Sequence, residues 1–278
     1  MRFLITYPLA QRLQIFQLES IPRNPALNRS TKWLQSRQTA GNPRVRLFCL
    51  PHAGGGATAY HPWIANLPPF VQVCPVLLPG RETRLSETLY TQIEPLVNAM
   101  DWELRPWLNK PYAIFGHSMG ALLAFEWARR LQRDGHSMPD WIFLSGRSAP
   151  DTPGDSSPLH SLPDRDFIEH LTHRFNGIPQ EFLENNALME VFLPILRADI
   201  AVVESYRFHE AEPLDCPITV FAGAEDKSVS WDQLFAWKRH TRRNFQMQIL
   251  PGGHFYPQRP LLQTISTTLG ELHPGMLG

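Results

Sequence analysis

The chain has 278 residues, 43% of them hydrophobic, with 26 basic side chains balancing 26 acidic ones. That length fits one large α/β domain or two small ones with a substantial core, and zero net charge offers no global attraction to nucleic acid or an anionic membrane. Cys49, Cys74 and Cys216 are odd in number, widely spaced and set in or beside apolar segments, a pattern of buried reduced thiols that excludes a disulfide frame or metal site. No apolar run approaches the roughly 18 residues of a membrane span, and the N-terminus lacks a signal-peptide core, so a soluble cytoplasmic protein is expected.

Residues 1–43 carry Arg2, Arg12, Arg23, Arg29, Lys32 and Arg37 against a single acid, Glu19, among Gln, Asn and Pro. Without a sustained hydrophobic period this segment reads as a flexible N-terminal extension outside the core, its charges solvated rather than docked on a partner. A regular alternation begins at Arg44. Residues 45–50 read as a buried strand, followed by a glycine-rich turn at 54–56, a short helix near 57–67, a strand at 71–78 and a helix at 93–108. A strand at 112–115 leads into a helix at 121–131, and a further strand follows at 141–145. The interval 147–214 breaks this rhythm: a Pro/Ser/Asp-rich stretch at 148–163 gives way to helical patterns through Phe167, Leu171, Phe192, Leu196 and Ile200, as in an inserted helical lid. Strands at 218–222 and 245–250, with helices at 231–240 and 261–272, close the chain. Residues 44–146 and 215–278 therefore form one α/β core, a mostly parallel sheet with helices on both faces. Such sheets place their sites at the carboxyl ends of the strands.

The most informative stretch is Gly116-His117-Ser118-Met119-Gly120, set between a buried strand pattern and a strongly helical one. Strand, tight turn and helix form the setting of a nucleophile elbow. A serine hydroxyl is a poor nucleophile at neutral pH and must be presented on a sharp turn beside a base. The base expected is His254, in the glycine-containing loop after the last strand. The acid expected is Asp226, which leaves the preceding strand and can accept the imidazole Nδ1 proton; its neighbour Glu225 is the rival. Serine, acid, histidine is the chain order of the α/β-hydrolase fold. The oxyanion hole requires two backbone NH groups. One is assigned to Met119, directly after the serine, and the other to Ala53 in the loop Pro51-His52-Ala53-Gly54-Gly55-Gly56. No G-K-[ST] ending or G-x-G-x-x-G pattern makes that loop a phosphate cradle. His52 is either a substrate contact or a packed loop residue.

Leu47-Phe48-Cys49-Leu50-Pro51-His52-Ala53-Gly54-Gly55, Leu78-Pro79-Gly80-Arg81-Glu82, the serine pentapeptide, Leu196-Arg197-Ala198-Asp199 and Gly252-Gly253-His254-Phe255 together resemble the type II thioesterases. These are stand-alone editing enzymes of nonribosomal peptide and polyketide assembly lines; the animal medium-chain acyl-carrier-protein thioesterases are similar. The resemblance runs from about Trp33 to Leu272. It implies hydrolysis of acyl or aminoacyl groups from the phosphopantetheine arm of an acyl or peptidyl carrier protein, with Ser118, Asp226 and His254 as the triad and 147–214 as the lid. Asp199 falls at a recurrent lid position, read here as a helix contact. Neither metal nor organic cofactor is implied, because a triad supplies both nucleophile and base, and a monomer is expected. The basic cluster Lys238, Arg239, His240, Arg242 and Arg243 reads as a solvated helix end, with carrier docking as the alternative. A general carboxylesterase on the same fold is the nearest rival activity. A non-catalytic acyl-binding protein has no need of the serine, acid, histidine and glycine set.

Overall fold

Six strands, all parallel, lie in the order β2-β1-β3-β4-β5-β6. They are β1 (Val45–Leu50), β2 (Val71–Pro75), β3 (Tyr112–His117), β4 (Trp141–Ser145), β5 (Ile218–Gly223) and β6 (Phe245–Leu250). The computed structural model describes residues 31–35, 43–152, 158–175 and 184–274. Helices α1 (His61–Asn66), α2 (Ile93–Leu104), α3 (Met119–Arg133), α6 (Trp231–Phe235) and α7 (Gln258–Leu272) alternate with the strands. Helices α4 (Asp164–Phe175) and α5 (Asn186–Ser205) occupy the long interval between β4 and β5.

Every residue of β1 is buried, as expected of a strand covered on both faces. Successive side chains alternate sides, so Phe48 and Leu50 join a core with Leu96, Trp127 and Trp237, while Val45, Leu47 and Cys49 join another with Trp63, Leu261 and Ile265. Arg46 interrupts the apolar run. It satisfies its N–H donors at the strand's start by donating to Asn109 Oδ1 (2.6 Å), Gln72 Oε1 (3.1 Å) and the Trp107 carbonyl. The three cysteines are free and buried; burial pushes the Cys74 and Cys216 thiols up to about 12. Among the described residues no helix is long and apolar enough to cross a membrane.

The strand expected at 71–78 pairs as a ladder only through Pro75, after which Val76 forms an isolated antiparallel bridge to Leu34. That bridge corrects the boundary drawn at residue 43. Residues 1–30 and 36–42 lie outside the described residues, but Trp33 is 3% exposed and belongs to the core. Leu77 N donates to its carbonyl at 2.8 Å, and the Arg84 guanidinium lies 4.2 Å over its ring. Two apolar residues in isolation carry no period, so a pattern search passes over them. Trp33→Ala is expected to lower the unfolding free energy of the full chain by about 3 kcal/mol, measured by urea denaturation. A loss below about 1 kcal/mol would place Trp33 outside the cooperative core.

Candidate active site

Strand order reverses between β1 and β3, because the chain leaves β1 toward β2 on one side and later continues from β3 toward β4 on the other. The loops beyond such a reversal part and leave a crevice at the strands' carboxyl ends. Ser118 stands there, in the turn between β3 and α3, with φ +53° and ψ −112°. A non-glycine residue held in this region stores roughly 1–3 kcal/mol of strain. Its amide donates to the Ser145 carbonyl of β4 at 2.8 Å, and its own carbonyl accepts from Ala121 N at 3.1 Å. A Cβ on Gly116 would lie 2.0 Å from the Gly120 carbonyl oxygen, and one on Gly120 would lie 2.2 Å from that of Leu50. Strand, turn and helix therefore close on each other with no room for a side chain at either position.

Asp226 and His254 leave the neighbouring strands β5 and β6, which are in register to Gly223 and Leu250. Their loops remain joined past the sheet: Ala224 N donates to the Leu250 carbonyl (2.8 Å) and Glu225 N to that of Gly252 (2.9 Å). His254 Nδ1 donates to Asp226 Oδ2 at 2.8 Å, with both side chains buried. The other carboxylate oxygen accepts from the Ser228 amide (2.9 Å) and hydroxyl (2.6 Å). Burial alone would raise the Asp226 carboxyl, but the hydrogen bond and charge of His254 and the Ser228 donors outweigh it and hold the group below the usual carboxylate range. Glu225, the rival acid, points to solvent.

Ser118, His254, His52 and Ala53 line one cavity of about 960 Å³, together with residues of α4 and α5. In the loop after β1, Gly54 N is taken by Asp199 Oδ2 (2.8 Å) and Gly55 N by the His52 carbonyl (2.9 Å). Ala53 carries the NH before these two and borders the cavity. Met119 begins α3, where first-turn NH groups have no partner within the helix.

Residues 45–269 match the family described as Thioesterase domain. The chain belongs to the thioesterase family. Its relatives include the gramicidin S biosynthesis protein GrsT of Aneurinibacillus migulanus, 40% identical over 83% of this chain and 90% of that one. Similar solved structures include ClbQ from the colibactin NRPS/PKS pathway, with a TM-score of 0.78 at 33% identity over 82% of this chain and 98% of that one. Another is the type II thioesterase BorB from the borrelidin biosynthetic cluster, with a TM-score of 0.74 at 34% identity over 90% and 98%.

In this thioesterase Asp199 is more than a helix contact. Its carboxylate takes both arms of the Arg81 guanidinium, at 2.7 and 2.8 Å, in addition to the Gly54 amide. Arg81 also donates to the Gly55 carbonyl at 2.9 Å. Arg81 is 5% exposed and Asp199 2%, so helix α5 is tied to the loop after β2 by a buried, bidentate ion pair, and both partners hydrogen-bond the loop after β1. Sequence reasoning quoted Arg81 and assigned it no role. Ser228 was also passed over, although a Ser two places after an Asp is a recognisable side-chain turn. The basic cluster is largely paired within the molecule: Arg239 Nε and His240 Nε2 contact Asp151 at 2.5 and 2.9 Å, Arg242 meets Glu212 at 3.3 Å and Arg243 meets Asp215 at 2.7 Å. Removing one partner of a buried pair strands the other charge. Asp199→Ala is accordingly expected to cost about 3 kcal/mol of stability, read from urea unfolding. A change of less than about 1 kcal/mol would mean that the pair behaves as if exposed.

Proposed function

We propose that this thioesterase hydrolyses acyl or aminoacyl thioesters from the phosphopantetheine arm of carrier proteins, clearing aberrant or stalled loads in a peptide or polyketide assembly line. The observation that carries the reading is the buried His254–Asp226 pair on the wall of the cavity that Ser118 enters from its strained turn. The kinship with a gramicidin S biosynthesis protein and with a type II thioesterase of a biosynthetic cluster supports the assembly-line setting.

With Asp226 holding the Nδ1 proton, His254 Nε2 is free to accept the proton of Ser118. The hydroxyl oxygen attacks the thioester carbonyl, and the NH groups of Met119 and Ala53 hold the resulting oxyanion. His254 returns the proton to the sulfur as the carbon–sulfur bond breaks, leaving an acyl-serine and the pantetheine thiol. Water, deprotonated by the same imidazole, then releases the carboxylic acid and restores the serine. A thiol with a pKa near 8.5 is a far better leaving group than an alcohol, so moderate catalysis suffices. In this reading residues 147–214 act as the lid over the acyl pocket, and an acyl or peptidyl carrier protein presents the arm. The helix-end cations contribute little to that docking, since intramolecular acids already occupy most of them.

Incubated with acyl-pantetheine, the protein should release free acid, with a clear preference over the p-nitrophenyl ester of the same acid. The reverse preference would favour a general carboxylesterase. Ser118→Ala should abolish both turnover and labelling by a fluorophosphonate; turnover near the wild-type rate would exclude the acyl-serine route. Asp226→Asn leaves the imidazole in the wrong tautomer and is expected to reduce kcat by roughly 10³-fold or more. A loss of less than about tenfold would remove Asp226 from the mechanism.

A further inference from the structure

We propose that Arg147 makes the cavity selective for acyl groups that carry a carboxylate of their own, an inference that rests on the thioester hydrolysis argued above. Arg147 is the second residue beyond β4. The residue between, Gly146, runs against the reaction centre: a Cβ there would lie 2.8 Å from the His117 ring and 3.2 Å from that of His254. The main chain at Arg147 is fixed, since its carbonyl accepts from Trp237 Nε1 at 2.8 Å. Its side chain lines the same cavity as Ser118 and His254.

The guanidinium has no carboxylate partner among the described residues, and its Nε is buried without any hydrogen bond. Two acids line the cavity among those residues, and both are committed elsewhere. Asp151 holds Arg239 and His240. Glu204 accepts from His160 Nδ1 (2.5 Å), Leu159 N (2.7 Å) and His160 N (3.1 Å). Arg174 lines the cavity too and adds positive potential. Burial, reinforced by Arg174, pushes Arg147 down to about 10. A desolvated cation with no counter-charge is costly. The cavity thus holds a positive charge that the described residues do not neutralise, in the same space that Ser118 lines.

A terminal carboxylate on the acyl chain supplies the missing charge and matches the planar fork of the guanidinium. Leu171, Phe175, Leu196 and Ile200 line the same space and suit the aliphatic stem. A neutral carbonyl would accept a hydrogen bond but leave the charge uncompensated, so a carboxyacyl group is the better fit. The same chemistry could come from the phosphate of the pantetheine arm, and the test separates the two.

Succinyl-, glutaryl- and adipoyl-pantetheine are compared with the uncharged acyl-pantetheines of equal length, using the full chain. At the best length, kcat/KM should favour the carboxyacyl substrate by about tenfold or more. Arg147→Leu should collapse that ratio, and Arg147→Lys should restore part of it. Equilibrium binding to Ser118→Ala, followed by calorimetry, should show the same preference and reads selectivity without turnover. A wild-type ratio of one or less at every length, or a ratio unchanged in Arg147→Leu, overturns the proposal. So does a result in which Arg147→Leu weakens only 4′-phosphopantetheine thioesters relative to pantetheine ones, since the guanidinium would then serve the arm. Absence of hydrolysis of every thioester would instead sink the thioesterase reading, and binding to Ser118→Ala would still decide the role of Arg147.

Discussion

The backbone of Ser118 is the constraint around which the molecule is arranged. A serine at φ +53° relaxes unless its flanks are fixed, and here four neighbours fix them. The Ser145 carbonyl of β4 holds its amide. Gly116 and Gly120 bring strand and helix into backbone contact, and the carbonyl of Leu50 at the end of β1 abuts the helix start. The three central strands thus meet at one residue. The burial of β1, β3 and β4 along nearly their whole length is what makes that convergence rigid enough to bear the strain.

A second tie joins the loop after β1 to the inserted helices. Asp199 on α5 and Arg81 on the loop after β2 grip the backbone of Gly54 and Gly55 from both sides, one accepting an NH and the other donating to a carbonyl. With Gly54 N committed in this way and Gly55 N turned onto His52, the conformation that leaves Ala53 bordering the cavity is set by side chains far away in sequence. Any movement of α5 at residue 199 must either carry that loop with it or break a desolvated ion pair. The small cluster of Phe167, Leu171, Leu196 and Ile200, packed on Ala53, reinforces the same junction with apolar contact.

Most of the core was legible in the sequence because it repeats a simple rule. Strands 45–50, 141–145 and 245–250 are apolar or alternating runs bounded by turns, and their observed limits match. The serine motif gained meaning from its place between a strand and a helix, and His254 and Asp226 from theirs after strands. The features that escaped have a common cause: each depends on a partner distant in the chain. Trp33 is a core residue only because Val76 and Leu77 bind its neighbourhood. Asp199 looks like one more polar residue on a helix until Arg81 is set beside it. Arg147 follows a strand like many exposed residues, and only the cavity reveals that its charge lacks a carboxylate partner among the described residues. Local periodicity reports burial and direction, and it is silent on which buried charges meet.

Three imidazoles crowd the carboxyl edge of the sheet, with His117 centred 4.9 Å from His254 and 5.9 Å from His52. Three cations there would repel one another, and burial prevents it. Desolvation, then the charges of His254 and Arg81, push His52 down to about 4. Desolvation likewise holds His117 well below the ordinary imidazole range, with its Nδ1 2.7 Å from the Ser145 hydroxyl, which is in turn paired with Tyr256. Of the three rings, only His254 has a carboxylate within hydrogen-bond reach among the described residues. In the proposed mechanism the positive charge that the Ser118 proton brings to His254 therefore arises beside the Asp226 carboxylate, with the neutral His117 ring as its neighbour. The same dry surroundings that silence His52 and His117 strengthen the attraction between His254 and Asp226. All three rings lie in the same dry setting, so on the reading proposed above it is the Asp226 carboxylate that sets His254 apart as the base.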